Sequence, residues 1–328
     1  MWKRVILFLL LGVVLAIGGG LGFLMLRKPA QVAASTKTVA RTPERIARGE
    51  FIFAHLADCG GCHSQRDFSR ACGPEVPGGR GRGNVLSDFL IGFPWVVVAP
   101  NITPDVETGI GAWTDGEKIR AIRDGVDKDG NALFPGMPYD AYRQMSDEDV
   151  EALVAYLDTM PAVHNPLPKT KLDFPANIMV KFAPRPAGSV PPPQRSDSTQ
   201  YGKYLTTVAG CIGCHTPSVK GRPTPGMEYA GGEVMATHAG TVVSANLTPD
   251  METGIGKWSE EFFQKKFYDY KEYAEKGPPP VAGPHAFTLM PWLAFAGLPP
   301  EDLSAIYAFL RTVKPVRHYV EMHPGAKS

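Results

Sequence analysis

No stretch of this sequence alternates basic with aromatic side chains, and the formal net charge over its 328 residues is +1. Both absences count against a nucleic-acid partner. Strand-length alternation of apolar and polar residues is missing as well, so nothing in the pattern competes with helix. Cysteine is scarce, five in all, and none directly follows the N-terminal apolar run, which leaves a lipoprotein anchor without its attachment residue. What is abundant is glycine (35) and proline (31), the composition of long loops and extended connections. The near-zero net charge hides an uneven distribution. Residues 41–165 carry 12 basic and 19 acidic side chains, residues 166–195 carry 5 and 1, and residues 196–328 carry 12 and 13.

After Lys3 and Arg4, residues Val5 to Leu26 form an uncharged run of 22, closed by Arg27 and Lys28. That is long enough to cross a bilayer as one helix, and longer than the apolar core of an ordinary signal peptide. The expectation is an uncleaved anchor over residues 1–28. The alternative is a signal peptide, for which VAAS at 32–35 supplies a small-residue cleavage site. Lys and Arg balance across the span, so the positive-inside rule does not orient it.

Residues 59–63 read CGGCH, and residues 211–215 read CIGCH. The repetition extends further. NITPDVETGIGAW at 101–113 matches NLTPDMETGIGKW at 246–258, GMPYDAY at 136–142 matches LMPWLAF at 289–295, and AYL at 155–157 matches AFL at 308–310. The chain is a tandem duplication. Between the copies lies a proline-rich strap whose prolines disfavour regular helix and predict an extended, stiff connection. In each copy a helix is expected just before the cysteines. In the first, Thr42 and Pro43 suit cap and first-turn positions, and Ile46, Phe53 and Leu56 are candidate core contacts. A second helix closes each copy, with Val150, Leu153, Val154 and Leu157 on its apolar face in one and Leu303, Ile306, Tyr307 and Leu310 in the other.

A zinc clip, a redox dithiol and a haem attachment site can all begin with C-x-x-C. Structural zinc needs four converging ligands, yet the two pairs are far apart in sequence and each lies in its own copy. A thioredoxin-like dithiol belongs beside a strand in a βαβ unit and has no use for the adjacent histidine. Covalent haem accounts for every position. Cys59 and Cys62, and again Cys211 and Cys214, present two thiols on one turn to the two vinyl groups of a porphyrin, with His63 and His215 as proximal iron ligands. Such attachment takes place outside the cytoplasm, which predicts an N-terminus inside and both copies on the periplasmic side of the inner membrane. Cys72 has no counterpart in the second copy and reads as a loop thiol.

A sixth ligand should recur in both copies. Met137 and Met290 do, each followed by proline, 74 and 75 residues past the proximal histidines. Met145 aligns with Leu298 and precedes Ser146, which with Asp149 resembles a capping box, so it reads as the hydrophobic staple of the closing helix. Met227, Met235 and Met251 lack methionine counterparts, and His238 and His285 lack histidine ones. Trp113 and Trp258 match across the copies and suit either a propionate contact or a plain core role. The NxTPD blocks read as turns packed near the haem edge.

The two CxxCH sites, the N-[IL]-T-P-D-x-E-T-G-I-G-x-W blocks, the Met-Pro segments and KLDFPANI in the strap resemble the membrane-associated multihaem cytochrome c subunits of bacterial alcohol and aldehyde dehydrogenases, over residues 42–315. Many members of that family carry three haems, whereas this chain has two motifs and a long N-terminal anchor. The resemblance implies an all-α architecture: cytochrome c domains at 41–165 and 195–320, a linker at 166–194, and two covalently bound haem c groups. It implies an electron-transfer protein in a respiratory chain, partnered by a redox protein or a membrane complex (dehydrogenase, quinol-oxidising complex or terminal oxidase), with no small-molecule substrate of its own. The alternative is an enzyme similar to dihaem cytochrome c peroxidases, in which one iron would have an open face.

Overall fold

A computed structural model describes residues 2–89, 95–238, 240–283 and 287–324; His285 lies outside them. Helix α1 (Trp2–Leu26) has a window of mean hydropathy 2.6, none of it buried inside the protein. Its 25 residues extend about 37 Å at 1.5 Å per residue, more than the roughly 30 Å of a hydrocarbon core. Length and hydropathy fit a bilayer span, as they fit a signal sequence.

The duplication is plain in the fold. In the first half, α2 (Pro43–Phe51) starts at Thr42, whose hydroxyl accepts from the Arg45 N–H, with Pro43 in the first turn. It runs through one π-turn, Ile52–Leu56, into α3 (Cys59–His63). Then come α4 (Asp115–Asp124), closed into a capping box by Thr114 and Glu117, the short α5 (Tyr139–Tyr142) and the closing helix α6 (Asp147–Leu157). Ser146 caps α6 by accepting from the Asp149 N–H, while Met145 and Val150 are both buried on either side of the cap, the staple expected of them. After the strap, with its single turn α7 (Ala176–Met179), the second half repeats the plan. Its helices are α8 (Ser198–Val208), α9 (Cys211–Cys214), α10 (Glu260–Tyr268), α11 (Lys271–Lys276), α12 (Trp292–Phe295) and α13 (Pro300–Leu310). The turn at 176–179 forms in the proline-free stretch between Pro175 and Pro184, where nothing removes the backbone donors.

Each half is built on one crossing, α2 over α6 and α8 over α13. Glycine makes both crossings close. A Cβ on Gly49 would sit 1.9 Å from the Ala152 carbonyl oxygen, and one on Gly202 would sit 1.8 Å from that of Ala305. The predicted apolar faces meet there: Val150, Leu153, Val154, Leu157, Leu303, Ile306 and Leu310 are buried, as are Phe53 and Leu56. Tyr307 is half-buried and donates its hydroxyl to the Trp258 carbonyl at 2.7 Å.

The architecture is mainly helical, as the periodicity predicts, and carries in addition three two-stranded antiparallel ribbons among the described residues. β1 (Asn84–Val85) pairs with β2 (Val98–Ala99), β3 (Ser218–Val219) with β4 (Arg222–Pro223), and β5 (Val234–Thr237) with β6 (Gly240–Val243). β2 and β6 come from the β-branched runs WVVVAP and TVVSA, which precede the NxTPD blocks.

The halves share one continuous core and exchange contacts reciprocally. The π-turn of the first packs on α12 of the second, and α8 of the second packs on α5 of the first. His55 Nδ1 lies 2.9 Å from the Ala294 carbonyl. Tyr204 donates its hydroxyl to Asp149 and accepts from the Ser146 N–H at 3.2 Å. The strap lies along the first half: the Lys171 N–H donates to the Val96 carbonyl at 2.9 Å, and the Ala187 N–H to Asp124 at 2.8 Å.

Overpacking at the crossings gives a direct check. Gly49→Ala and Gly202→Ala are each expected to destabilise by about 1–3 kcal/mol or more, whereas Gly188→Ala, where a Cβ meets nothing within 4 Å, is expected to be neutral in denaturant titrations.

Candidate functional site

Both C-x-x-C-H stretches fold as a single helical turn entered through a left-handed residue, Asp58 (φ 44°) in one copy and Gly210 (φ 69°) in the other. The turn brings the two cysteines to neighbouring positions and leaves the histidine at its C-terminal end. His63 and His215 are buried. Burial holds both imidazoles below their ordinary pKa, so they are neutral. In each, Nδ1 lies 2.8 Å from a backbone carbonyl, that of Pro100 for His63 and of Ala245 for His215. A carbonyl only accepts, so Nδ1 carries the proton and Nε2 keeps its lone pair, the state a metal-binding imidazole requires.

Those two carbonyls are not incidental. Pro100 and Ala245 stand immediately before the Asn of the NxTPD blocks, and each block is tied down by the same knot. Asn101 Oδ1 accepts from the Thr103 N–H and hydroxyl, and its Nδ2 donates to Thr108 Oγ1 and the Val163 carbonyl. Asn246 does the same with Thr248, Thr253 and Val316. Asp105 and Asp250 close the turns by accepting from the N–H and hydroxyl of Thr108 and Thr253. On the other side the chain returns past the histidine, whose own carbonyl accepts from Gly83 N–H in one copy and Gly231 N–H in the other, at 2.7 and 2.8 Å. The turn blocks, expected only to pack near the haem edge, thus position the carbonyl that orients each histidine. Their duplication, with the β-branched run ahead of each, was the available signal.

Cys59 and Cys211 are half-buried, whereas Cys62 and Cys214 reach the surface beside densely packed neighbours. The surrounding protein atoms, reinforced by the Asp58 carboxylate, push Cys62 up to about 11. Burial pushes Cys211 up to about 12 and raises Cys59 and Cys214 as well. A redox-active dithiol depends on a depressed thiol pKa, the opposite of what is found. Among the described residues no group of three or more His, Cys, Asp or Glu is gathered where it could hold a metal ion.

Met137 and Met290 are partly buried against the same core as Cys59 and Cys211, as are Trp113 and Trp258. Met137 leads into α5, whose Tyr142 is buried, with its phenol raised well above its ordinary value by that burial. Tyr142 also donates to the Ala57 carbonyl at 3.3 Å. Met290 leads into α12, where Phe295 occupies the position matching Tyr142. Cys72 is buried, apart from these groups in the sequence, with burial raising its thiol to about 11.

These surroundings fit covalently held haem. Paired neutral thiols sit one turn from an imidazole with a free Nε2. A Cβ at Gly213, inside CIGCH, would meet nothing within 4 Å, and Cys62 and Cys214 are exposed, leaving room at the motif. The guanidinium of Arg82, between the glycines that flank the return past His63, has an Nε without a protein partner, a donor suited to an acidic substituent.

A family model described as Cytochrome c matches the chain twice, over residues 46–161 and 199–314. The chain is 33% identical to the fructose dehydrogenase cytochrome subunit of Gluconobacter japonicus, over 87% of its own length and 55% of that protein. It is 31% identical to the cytochrome c subunit of the quinone alcohol dehydrogenase of Gluconacetobacter polyoxogenes, over 68% and 48%. With a diheme cytochrome c-type protein of Cereibacter sphaeroides it shares 27% identity, over 76% and 88%. The chain spans about half the length of the first two.

One interdomain contact, absent from the sequence expectations, is separately testable. Gly297 lets His55 reach Ala294, since a Cβ there would sit 2.1 Å from Nδ1. Gly297→Ala is expected to destabilise by about 1–3 kcal/mol in the native background and to be close to neutral beside His55→Ala; an equal cost in both backgrounds in a denaturant double-mutant cycle would remove the imidazole from that contact.

Proposed function

Because the chain belongs to the cytochrome c family through both of its halves, we propose that it is a membrane-anchored dihaem cytochrome c that passes single electrons between a redox partner and a respiratory chain. The observation that carries the reading is the repeated Nδ1-to-carbonyl bond, which prepares one imidazole per half as an iron ligand. In this reading Cys59, Cys62, Cys211 and Cys214 hold the porphyrins through thioethers, His63 and His215 bind iron on one side, and the sulfurs of Met137 and Met290 bind it on the other. Haem c supplies a one-electron ferrous/ferric couple, and what the chain adds is burial, orientation and the choice of axial ligands. A core shared between the halves supports exchange between the two centres.

Helix α1 is the proposed anchor, a single span with the N-terminus in the cytoplasm and residues 41–165 and 195–320 in the periplasm as two domains joined by the strap at 166–194. The named relatives are cytochrome subunits of fructose and alcohol dehydrogenases, which favours a membrane dehydrogenase as electron donor and a quinol-linked complex or terminal oxidase beyond it. Matching Met-Pro segments in both halves speak for two closed irons and against a peroxidase, which requires an open one.

Redox titration of single variants tests the ligand set. Methionine ligation raises the potential of a haem, within a range of roughly 0.8 V spanned by axial ligands. Met137→Leu is therefore expected to lower one of two potentials and Met290→Leu the other, each leaving its neighbour in place. An unchanged titration curve for either variant would refute that methionine as a ligand.

A further inference from the structure

The exposed apolar side chains outside α1 are not evenly scattered. Three of them, Phe174 (65% exposed), Met179 (64%) and Phe182 (48%), lie on nine consecutive residues of the strap, while Ile178 on the same turn is buried against the protein. This segment touches the end of α1. Lys181 Nζ donates to the Met25 carbonyl, and the Arg27 guanidinium stacks over the Phe182 ring with its carbon 4.6 Å from the centroid.

The anchor is also joined to the body without slack. Lys28 Nζ donates to Asn131 Oδ1 at 2.9 Å, Gln31 to the Gly130 carbonyl at 3.4 Å, and Arg120 to the Val32 carbonyl at 3.4 Å. A Cβ on Gly116 would lie 1.8 Å from the Ser35 carbonyl oxygen, so the chain runs directly against α4. If α1 crosses a bilayer, residues 25–28 mark the level where acyl chains give way to headgroups, and the strap segment bonded to them stands at that level too.

Charge agrees with this placement. Lys169 and Lys171 are exposed close by, Lys181 and Arg185 belong to the same segment, and Asp173 is its one acid. The loop adjoining the end of α1 carries Asp129, an acid whose charge is offset by Lys128, Lys169 and Lys28 around it. We propose that residues 174–182 form a second membrane contact, in which Phe174, Met179 and Phe182 enter the interface of the bilayer spanned by α1 and the neighbouring lysines face anionic headgroups. The proposal rests on the anchor reading. A span alone leaves the protein free to swivel about one point, whereas a span plus an adjacent inserted turn fixes which face of the two-domain body looks along the membrane.

The test uses the full-length holoprotein in nanodiscs containing anionic lipid, with a nitroxide on Met179→Cys, on Val14→Cys within α1, or on Val219→Cys, an exposed residue (67%) in the second half. Native cysteines do not interfere, since Cys72 is 3% exposed and the other four are thioether-bound. Collision rates with oxygen and with a nickel chelate are expected to place the label at 179 about 5–10 Å below the headgroup boundary, the depth of interfacial helices, with 14 deep in the bilayer and 219 in water. A label at 179 as water-accessible as that at 219, with 14 in lipid, would overturn the strap contact alone and leave its apolar side chains to a protein partner. Water access at 14 as well would overturn the anchor and the inference together.

Discussion

The hydrogen bond from each histidine Nδ1 to the carbonyl that precedes an Asn-x-Thr-Pro-Asp turn is the constraint on which the rest depends. It sets the tautomer, the ring plane and the side of the imidazole left for a metal. A bond to a loop carbonyl is only as rigid as the loop. Here the loop is secured by Asn and Asp side chains that bond within the turn and, through Asn101 and Asn246, to the segment following the closing helix. The small ribbons serve the same end, because β2 ends at the residue before Pro100 and β6 ends two before Ala245. Two families of backbone contact therefore converge on one imidazole in each half, and the arrangement was kept through the duplication.

One difference between the halves falls at their junction. Gly49 and Gly202 are 153 positions apart, while Cys59 and Cys211 are 152 apart. The extra residue in the first copy is taken up by the π-turn, in which the Ala57 N–H reaches five residues back to Ile52 at 2.8 Å. Such turns insert one residue into a helix and re-aim the side chains around it. In this case they include His55, which reaches the carbonyl of Ala294 on the short helix after Met290. Tyr204 of the second copy makes the reciprocal approach to Ser146 and Asp149. A backbone irregularity in one copy thus becomes part of the joint between the two halves.

Much of this was legible in the sequence because it is local. Caps at Thr42 and Ser146, the apolar faces of α6 and α13 and the staple at Met145 each follow from a few neighbouring residues. The family followed from motifs that recur. The parts that were not legible depend on pairs far apart in the chain: Gly49 against Ala152, His63 against Pro100, His55 against Ala294. Glycine in a helix reads as a weak point until its partner carbonyl is known, and a carbonyl carries no residue identity for a pattern to detect. The ribbons were missed for a related reason, since strands of two to four residues are too short for alternation to register.

The central claim is that each half holds a haem through its two cysteines beside an oriented histidine. Peptide mapping by mass spectrometry of the protein from its native membrane tests it most directly. The account predicts one haem on the peptide containing residues 59–63 and one on that containing 211–215. Recovery of either peptide unmodified, or with its two cysteines joined as a disulfide, would contradict it.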